Sequence, residues 1–401
     1  MIDQVHFENF KSLKNVSIEL GRLTVLVGPN GCGKSSVLQG IQLLSQAVIQ
    51  PAPDSRIVIV PRDGLAVAHR FSALFSGLSE PERLASPGRP TSIKLSMRNS
   101  IGDELTLTIL LPGPSAEGPS RADVHSFEMV VDGPSGHLSA NAPRIAAEDT
   151  ALPTHPRVKQ FASAVYLNLN ANKMCRTSVP ETETPRMHSD GGHLASTLAW
   201  MKGAAEDELA QITLDLAKVV PGVKRIRTLR ERLPRRRMEK VNVDGQPVWR
   251  PVDETLLGDR FEIEFDEGPS IPADLLSEGT VLALGLLTKL HEPERPRLVL
   301  LDDIDRGLHI EAQAKLVQVL RNLLGAEPDL QIVCTTHSPY LLDLLDPSEV
   351  RVLALEGDRH TRAVALTAHP EFDKWKFGTQ TGELWAALGS AWVTAVPGSP
   401  E

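Results

Sequence analysis

The chain has 401 residues, 41% of them hydrophobic and 23% charged, which suits a globular protein with a large core and room for two lobes. A formal net charge of −9 excludes a uniformly basic nucleic-acid binder and leaves room only for a local basic patch. The three cysteines lack paired spacing, the N-terminus lacks a leader pattern, and the longest apolar run (281–287) is far too short to span a bilayer, so the expectation is a soluble cytoplasmic protein with no membrane partner.

Residues 2–10, 16–20 and 23–27 read as three strands, with a turn at 9–13 between the first two. Lys11, in that turn, either approaches a bound nucleotide or is an exposed turn lysine; spacing leaves both open. Gly28-Pro29-Asn30-Gly31-Cys32-Gly33-Lys34-Ser35 then spells G-x-x-x-x-G-K-[ST], the P-loop pattern. It follows the apolar strand and precedes a segment with apolar residues at 37, 38, 41 and 44, one face of a helix. Glycines let backbone N–H groups wrap around phosphate oxygens, and the helix N-terminus adds favourable partial charge. Lys34 can reach the β- and γ-phosphates and the Ser35 hydroxyl can ligate Mg²⁺. The expected nucleotide-binding residues are Asn30, Gly31, Cys32, Gly33, Lys34, Ser35 and Ser36, and the expected ligands are ATP and Mg²⁺.

Between about 55 and 160 the composition changes to an antiparallel β insertion, with strands at 57–60, 92–98, 104–111 and 124–131 and a hairpin turn at 99–103. Pro and Gly cluster in loops at 112–120, 133–136 and 142–156. His69, His125, His137 and His155 are scattered without metal-ligand spacing. A strand at 165–169 and a polar loop at 170–189 lead to Asp190, read as the N-cap of a helix starting at 192–194, and 194–220 reads as helical. The one basic stretch, 224–240, carries nine basic and two acidic residues. Arg225, Arg227, Arg230, Arg235, Arg236 and Arg237 are its candidate nucleic-acid contacts, against the alternative of a solvated strand-and-loop edge. A hairpin at 241–248 turns on Asp244-Gly245, and 261–265 alternates as a half-buried strand.

Ser277 and Gly279 precede an apolar helix at 281–290, where a hydroxyl and backbone N–H groups make an anion site. The buried strand 297–301 runs into Asp302 and Asp303, assigned to the metal and to the attacking water respectively. A second buried strand, 331–336, ends at His337, on the ligand side of an α/β sheet. Two more strands (350–355, 363–367) and a helix (382–388) complete the chain.

These pieces, in this order, resemble the ATP-binding-cassette type of ATPase head, in particular the SMC-like branch and its OLD-type ATPases. The resemblance rests on Asn9-Phe10-Lys11-Ser12, the P-loop with Ser36, Leu276-Ser277-Glu278-Gly279-Thr280, Asp302-Asp303-Ile304-Asp305-Arg306-Gly307-Leu308-His309 and Thr336-His337-Ser338-Pro339, with a further likeness at Asp190-Gly191-Gly192-His193-Leu194-Ala195. It implies an α/β P-loop NTPase of the ABC/SMC-head type, with an antiparallel β insertion and a helical lobe. The implied segments are an N-terminal ATPase lobe (1–190), a helical and basic β lobe (191–270) and a C-terminal ATPase lobe (271–401). It also implies two heads sandwiching two ATP molecules, with Ser277, Glu278 and Gly279 of one subunit completing the other's P-loop site and His337 contacting the γ-phosphate. The simplest partner is then a second copy of the chain.

Asp303 stands where the family has Glu, one methylene longer, so the expected turnover is slow. OLD-type proteins often continue into a Toprim nuclease domain; about 60 residues follow His337 here, so any effector is expected to be a separate protein. Three functions follow: an ATPase that dimerises on ATP and controls an effector, as in antiphage defence; an ATP-dependent DNA-binding or repair protein; or a hydrolysis-poor ATP-held scaffold.

Overall fold

The computed structural model describes residues 1–48, 92–110, 127–134, 138–142, 160–161, 164–243, 246–357, 360–375 and 378–394. The strand read at 57–60, the four scattered histidines, the loop at 112–120 and the Asp244-Gly245 turn lie outside them. In chain order the strands are β1 (Ile2–Phe10), β2 (Leu13–Glu19), β3 (Leu23–Val27), β4 (Ser92–Asn99), β5 (Glu104–Leu110), β6 (Phe127–Asp132), β7 (Leu138–Ala142), β8 (Ala164–Leu167), β9 (Val223–Val243), β10 (Gln246–Phe265), β11 (Ile271–Pro272), β12 (Leu298–Leu301), β13 (Gln331–Thr335), β14 (Val350–Leu355) and β15 (Thr361–Ala365). The helices used below are α1 (Lys34–Val48), α2 (Ala171–Met174), α3 (Leu194–Ala204), α4 (Glu206–Val219), α5 (Glu278–His291), α6 (Ile310–Ala326) and α7 (Pro339–Leu342).

The chain forms two compact units. The first comprises Met1–Tyr166, Pro296–Asp305 and Leu323–Glu401 and holds two sheets. One is antiparallel, in the order β2-β1-β4-β5-β6-β7, so the β insertion extends the N-terminal hairpin instead of standing apart. The other, β15-β14-β3-β13-β12-β8, has parallel pairing of β14, β3, β13 and β12, with antiparallel β15 on its edge. β3, β12 and β13 are buried at every residue, as apolar runs in a parallel sheet require. Helix α1 joins the sheets: its Val37, Leu38, Ile41 and Leu44 share one core with Phe7, Phe10, Ile93 and Leu95 of the first and Leu298, Leu300 and Val333 of the second. The four side chains sit at the helical spacing visible in the sequence, and each buried aliphatic side chain contributes about 1.5–3 kcal/mol of transfer free energy.

The second unit, Leu167–Arg295 with Arg306–Asn322, packs α3, α4 and α5 beside the base of a long hairpin, with Leu198, Ile212, Leu216, Leu284, Leu287, Ile226 and Phe261 buried. Three readings are corrected here. Residues 224–265 are one continuous ribbon, in which β9 pairs antiparallel with β10 from Val223/Phe265 to Val243/Gln246. Pro234 lies within the ladder opposite Thr255, which an edge strand tolerates because its outward N–H would bond only water. Asp190 is not an N-cap: α3 begins at Leu194 after His193, and Asp190 instead accepts from Gly192 N at 2.9 Å and pairs with Lys173 at 2.6 Å. Helix α5 begins at Glu278, three residues before the apolar run, because the Ser277 side chain caps it by accepting from Thr280 N at 3.2 Å.

Candidate functional site

The buried strand β3 leads into Gly28, whose φ of 151° is followed by 79° at Gly31 and 101° at Gly33. A Cβ on Gly28 would lie 2.2 Å from the Leu353 carbonyl oxygen, so only glycine lets β3 turn into the loop against β14. Lys34 is buried inside the loop and donates to the carbonyls of Gly28 (2.8 Å) and Pro29 (3.1 Å). The Thr361 hydroxyl of β15 stands 2.9 Å from the Cys32 carbonyl and 2.7 Å from Ser12 Oγ, and its N–H donates to Ser12 O at 2.7 Å. This buried threonine ties the loop to the β1–β2 turn.

At the ends of β12 and β13 lies a wired set of carboxylates. Ser35 Oγ donates to Asp302 Oδ2 at 2.7 Å, and Tyr166 donates to the same oxygen at 3.1 Å. Burial, then the Asp302 charge, push the Tyr166 phenol well above its ordinary range, which keeps it a donor. The Thr335 hydroxyl donates to Asp302 Oδ1 at 2.6 Å and accepts from the Asp303 N–H at 2.8 Å. Asp303 holds a φ of 52°, a left-handed geometry that Asp adopts more readily than longer side chains. Its Oδ1 lies 3.8 Å from His337 Nε2. Asp305 supports the same corner, accepting from Thr336 Oγ1 at 2.6 Å, and Ser338 caps α7 just beyond His337.

Ser35, Asp302, Asp303 and His337 are thus joined through Thr335. Hydroxyl and carboxylate oxygens are the hard donors Mg²⁺ takes, and the Ser35–Asp302 pair at the loop mouth fits it. Tyr166, Thr335 and Thr361 carry no mark in the sequence, whereas Asp305 lies inside the 302–309 stretch. The first three are 136, 33 and 349 residues from the partners named above, so no local pattern marks them, and the Thr336 partner of Asp305 is 31 residues away.

Lys11 donates to Gln39 Oε1 at 2.5 Å and stands 5.7 Å over the Phe10 ring. Burial lowers its pKa to about 8. The Cys32 thiol is buried and its pKa raised by that burial, which suits a packed side chain better than a reactive one.

Ser277, Glu278 and Gly279 belong to the second unit, at the start of α5. Glu278 accepts from Arg306, which also donates to the Leu169 carbonyl at 3.2 Å. Leu275, just before this turn, is 72% exposed. On the ribbon, Arg227 faces Glu262, Arg230 faces Asp259, Arg235 and Arg237 face Glu254, and Arg236 faces Asp253, at 3.2–3.7 Å. Among the described residues Arg225 makes no ion pair. Partner carboxylates therefore offset most of the charge concentrated on β9.

Comparison with known proteins shows what this chain is similar to. Residues 1–65 match the family model "AAA ATPase domain", and residues 180–343 match "AAA domain, putative AbiEii toxin, Type IV TA system". The chain is similar to an OLD nuclease of Thermus scotoductus, 36% identical over 63 residues, which is 16% of this chain and 11% of that protein's length. Among solved structures it is similar to an SMC head bound to the C-terminal winged-helix domain of ScpA, with a TM-score of 0.53 at 13% identity, covering 90% of this chain and 96% of that one. The shared feature is the fold: a mixed α/β P-loop head. Among the described residues no helix is long and apolar enough to cross a membrane.

Proposed function

Starting from a P-loop ATPase of the AAA type with an SMC-head fold, similar in part to OLD proteins, we propose that this chain binds ATP with Mg²⁺, closes into a dimer around the nucleotide and hydrolyses it slowly to control a separate effector. The observation that carries the ATPase reading is the Ser35–Asp302–Thr335–Asp303 network at the mouth of the P-loop. The N–H groups of Asn30 to Ser36 and the Lys34 ammonium would bind the phosphates, and Lys34 would exchange its two loop carbonyls for phosphate oxygens. Ser35 and Asp302 would hold Mg²⁺, which supplies charge neutralisation at the phosphates when bound. Asp303 would orient the attacking water and accept its proton, and His337, 45% exposed, would reach the γ-phosphate.

Dimerisation is supported by two exposed apolar side chains beside functional elements: Leu275 ahead of Ser277, and Tyr340, 59% exposed, just after His337. In this reading residues 1–190 and 271–401 supply the ATPase motifs, while 191–270 carry the helices and the ribbon. An effector system such as antiphage defence and a cytoplasmic setting belong to the same proposal. A second reading, DNA binding by the ribbon, has in its favour that the described ribbon side chains between Pro234 and Glu254 are exposed or half-exposed.

The test is turnover and mass measured together, for wild type and Asp303→Ala, with and without duplex DNA. Slow turnover in wild type, none in Asp303→Ala, and an ATP-trapped dimer of the variant would support the proposal. ATP binding without turnover in wild type would make the protein a nucleotide-held scaffold, and strong stimulation by DNA would move it to the second reading.

A further inference from the structure

We propose that His188, His193 and Glu181 form a binding site for a first-row transition-metal ion of the Zn²⁺ class, separate from the nucleotide's Mg²⁺. One potential ligand atom from each lies within 4.8 Å of the other two. The carboxylate of Glu181 is 3.5 Å from His193 Nε2, already the spacing of two ligands on a four-coordinate ion. The two imidazoles lie with ring centroids 4.4 Å apart and their planes tilted by 50°.

The backbone sets up this arrangement. His188 N donates to Gly192 O and Gly191 N donates to His188 O, both at 2.9 Å, closing a tight loop between the histidines. His193 then takes a φ of 63°, unusual for a side-chain-bearing residue, immediately before α3. Asp190 between them is held by Lys173 and by the Gly192 N–H.

Two imidazoles and one carboxylate suit Zn²⁺, Co²⁺ or Ni²⁺ and not Mg²⁺, which takes all-oxygen sites. Glu181 and His188 are exposed, so water can complete the coordination. The site also gives the surrounding segment a staple. Residues 175–193 connect α2 to α3, and among the described residues their one β pairing is an isolated bridge, Ser178 to Asp259. A connection this long without its own secondary structure is uncommon in a compact unit. A metal joining Glu181 to the histidines would pin its middle to the start of α3.

The test is Co²⁺ titration of nucleotide-free, chelator-treated full-length protein in Mg²⁺-containing buffer, read by the d–d absorption of four-coordinate Co²⁺ and by competition with Zn²⁺. One ion per chain is expected, displaced by Zn²⁺. His188→Ala, Glu181→Gln and His193→Asn should each weaken binding by about tenfold or more, and Asp302→Ala should leave it unchanged. Asn tolerates a positive φ, so His193→Asn should keep its metal-free melting temperature while losing the rise that Zn²⁺ gives the wild type. Should it melt early, the exposed His188→Ala carries the same comparison. Absence of four-coordinate Co²⁺ absorption, or binding unaffected by removing both histidines, would reduce the cluster to a His193–Glu181 ion pair and overturn the proposal.

Discussion

The Thr335 hydroxyl can be removed without touching either carboxylate. It is fully buried and is the shared partner of Asp302 Oδ1 and the Asp303 N–H. Thr335→Val keeps the shape and strands both groups, so unfolding should show a loss of about 1–3 kcal/mol. ATP affinity should stay near wild type, because the P-loop is untouched, while turnover falls at least about tenfold, since a hydrogen bond to a carboxylate, worth roughly 1.5–3 kcal/mol, and a neutral one, worth roughly 1 kcal/mol, are both lost. Equal turnover in both proteins would mean that Asp303 is held by its own backbone. At this scale the sequence displays the residues that act through a local pattern: the P-loop glycines, Lys34, and Asp302 at a strand end. It hides Thr335, Tyr166 and Thr361, because a lone hydroxyl acquires a role only when strand order brings a distant carboxylate or carbonyl to it.

Among elements, the start of α5 is tightly constrained. A Cβ on Gly279 would lie 2.1 Å from the Gly307 carbonyl oxygen, a backbone atom that cannot swing aside. Gly279→Ala should therefore destabilise the protein by about 1–3 kcal/mol and shift the Ser277 cap, so thermal unfolding and ATP-dependent assembly should fall together. The ribbon makes the opposite prediction. Its twenty paired positions extend about 65 Å at 3.3–3.4 Å per residue, and an isolated two-stranded ribbon needs help to stay in register. The cross-strand Arg–carboxylate pairs supply it, at about 0.2–1 kcal/mol each. If DNA binds here with those pairs kept, Arg225 alone of the six candidates is free for phosphate, so log K against log salt should have a slope near about −1, where six free arginines would give about −5. A measured slope near −5 would show the pairs yielding to phosphate.

The ribbon also shows where element reading from sequence stops. Pro234 and the charge run look like a break, yet a ribbon has two open edges and accepts proline in its interior. Helix α6 was not anticipated; its Leu316, Val317, Val319, Leu320 and Leu324 are buried, but the segment lies between two catalytic motifs and carries none. By contrast β3, β12 and β13 were legible as apolar runs, because strands buried on both faces need no alternation.

For the whole molecule, in the proposed dimer one chain's Ser277 turn would complete the other chain's P-loop site. Lys34→Ala removes the phosphate ligand and leaves the Ser277 turn intact, while Ser277→Arg blocks the turn and leaves the P-loop intact. Each alone should lose turnover. The most direct measurement is the ATPase rate of an equimolar mixture of the two, with mass followed in parallel by light scattering. A sandwich dimer predicts that activity reappears on mixing, because half of the sites in each mixed dimer combine an intact P-loop with an intact Ser277, and that it reappears together with dimer mass. Full turnover by Ser277→Arg alone as a monomer, or no recovery from two folded variants, would contradict a site shared between chains.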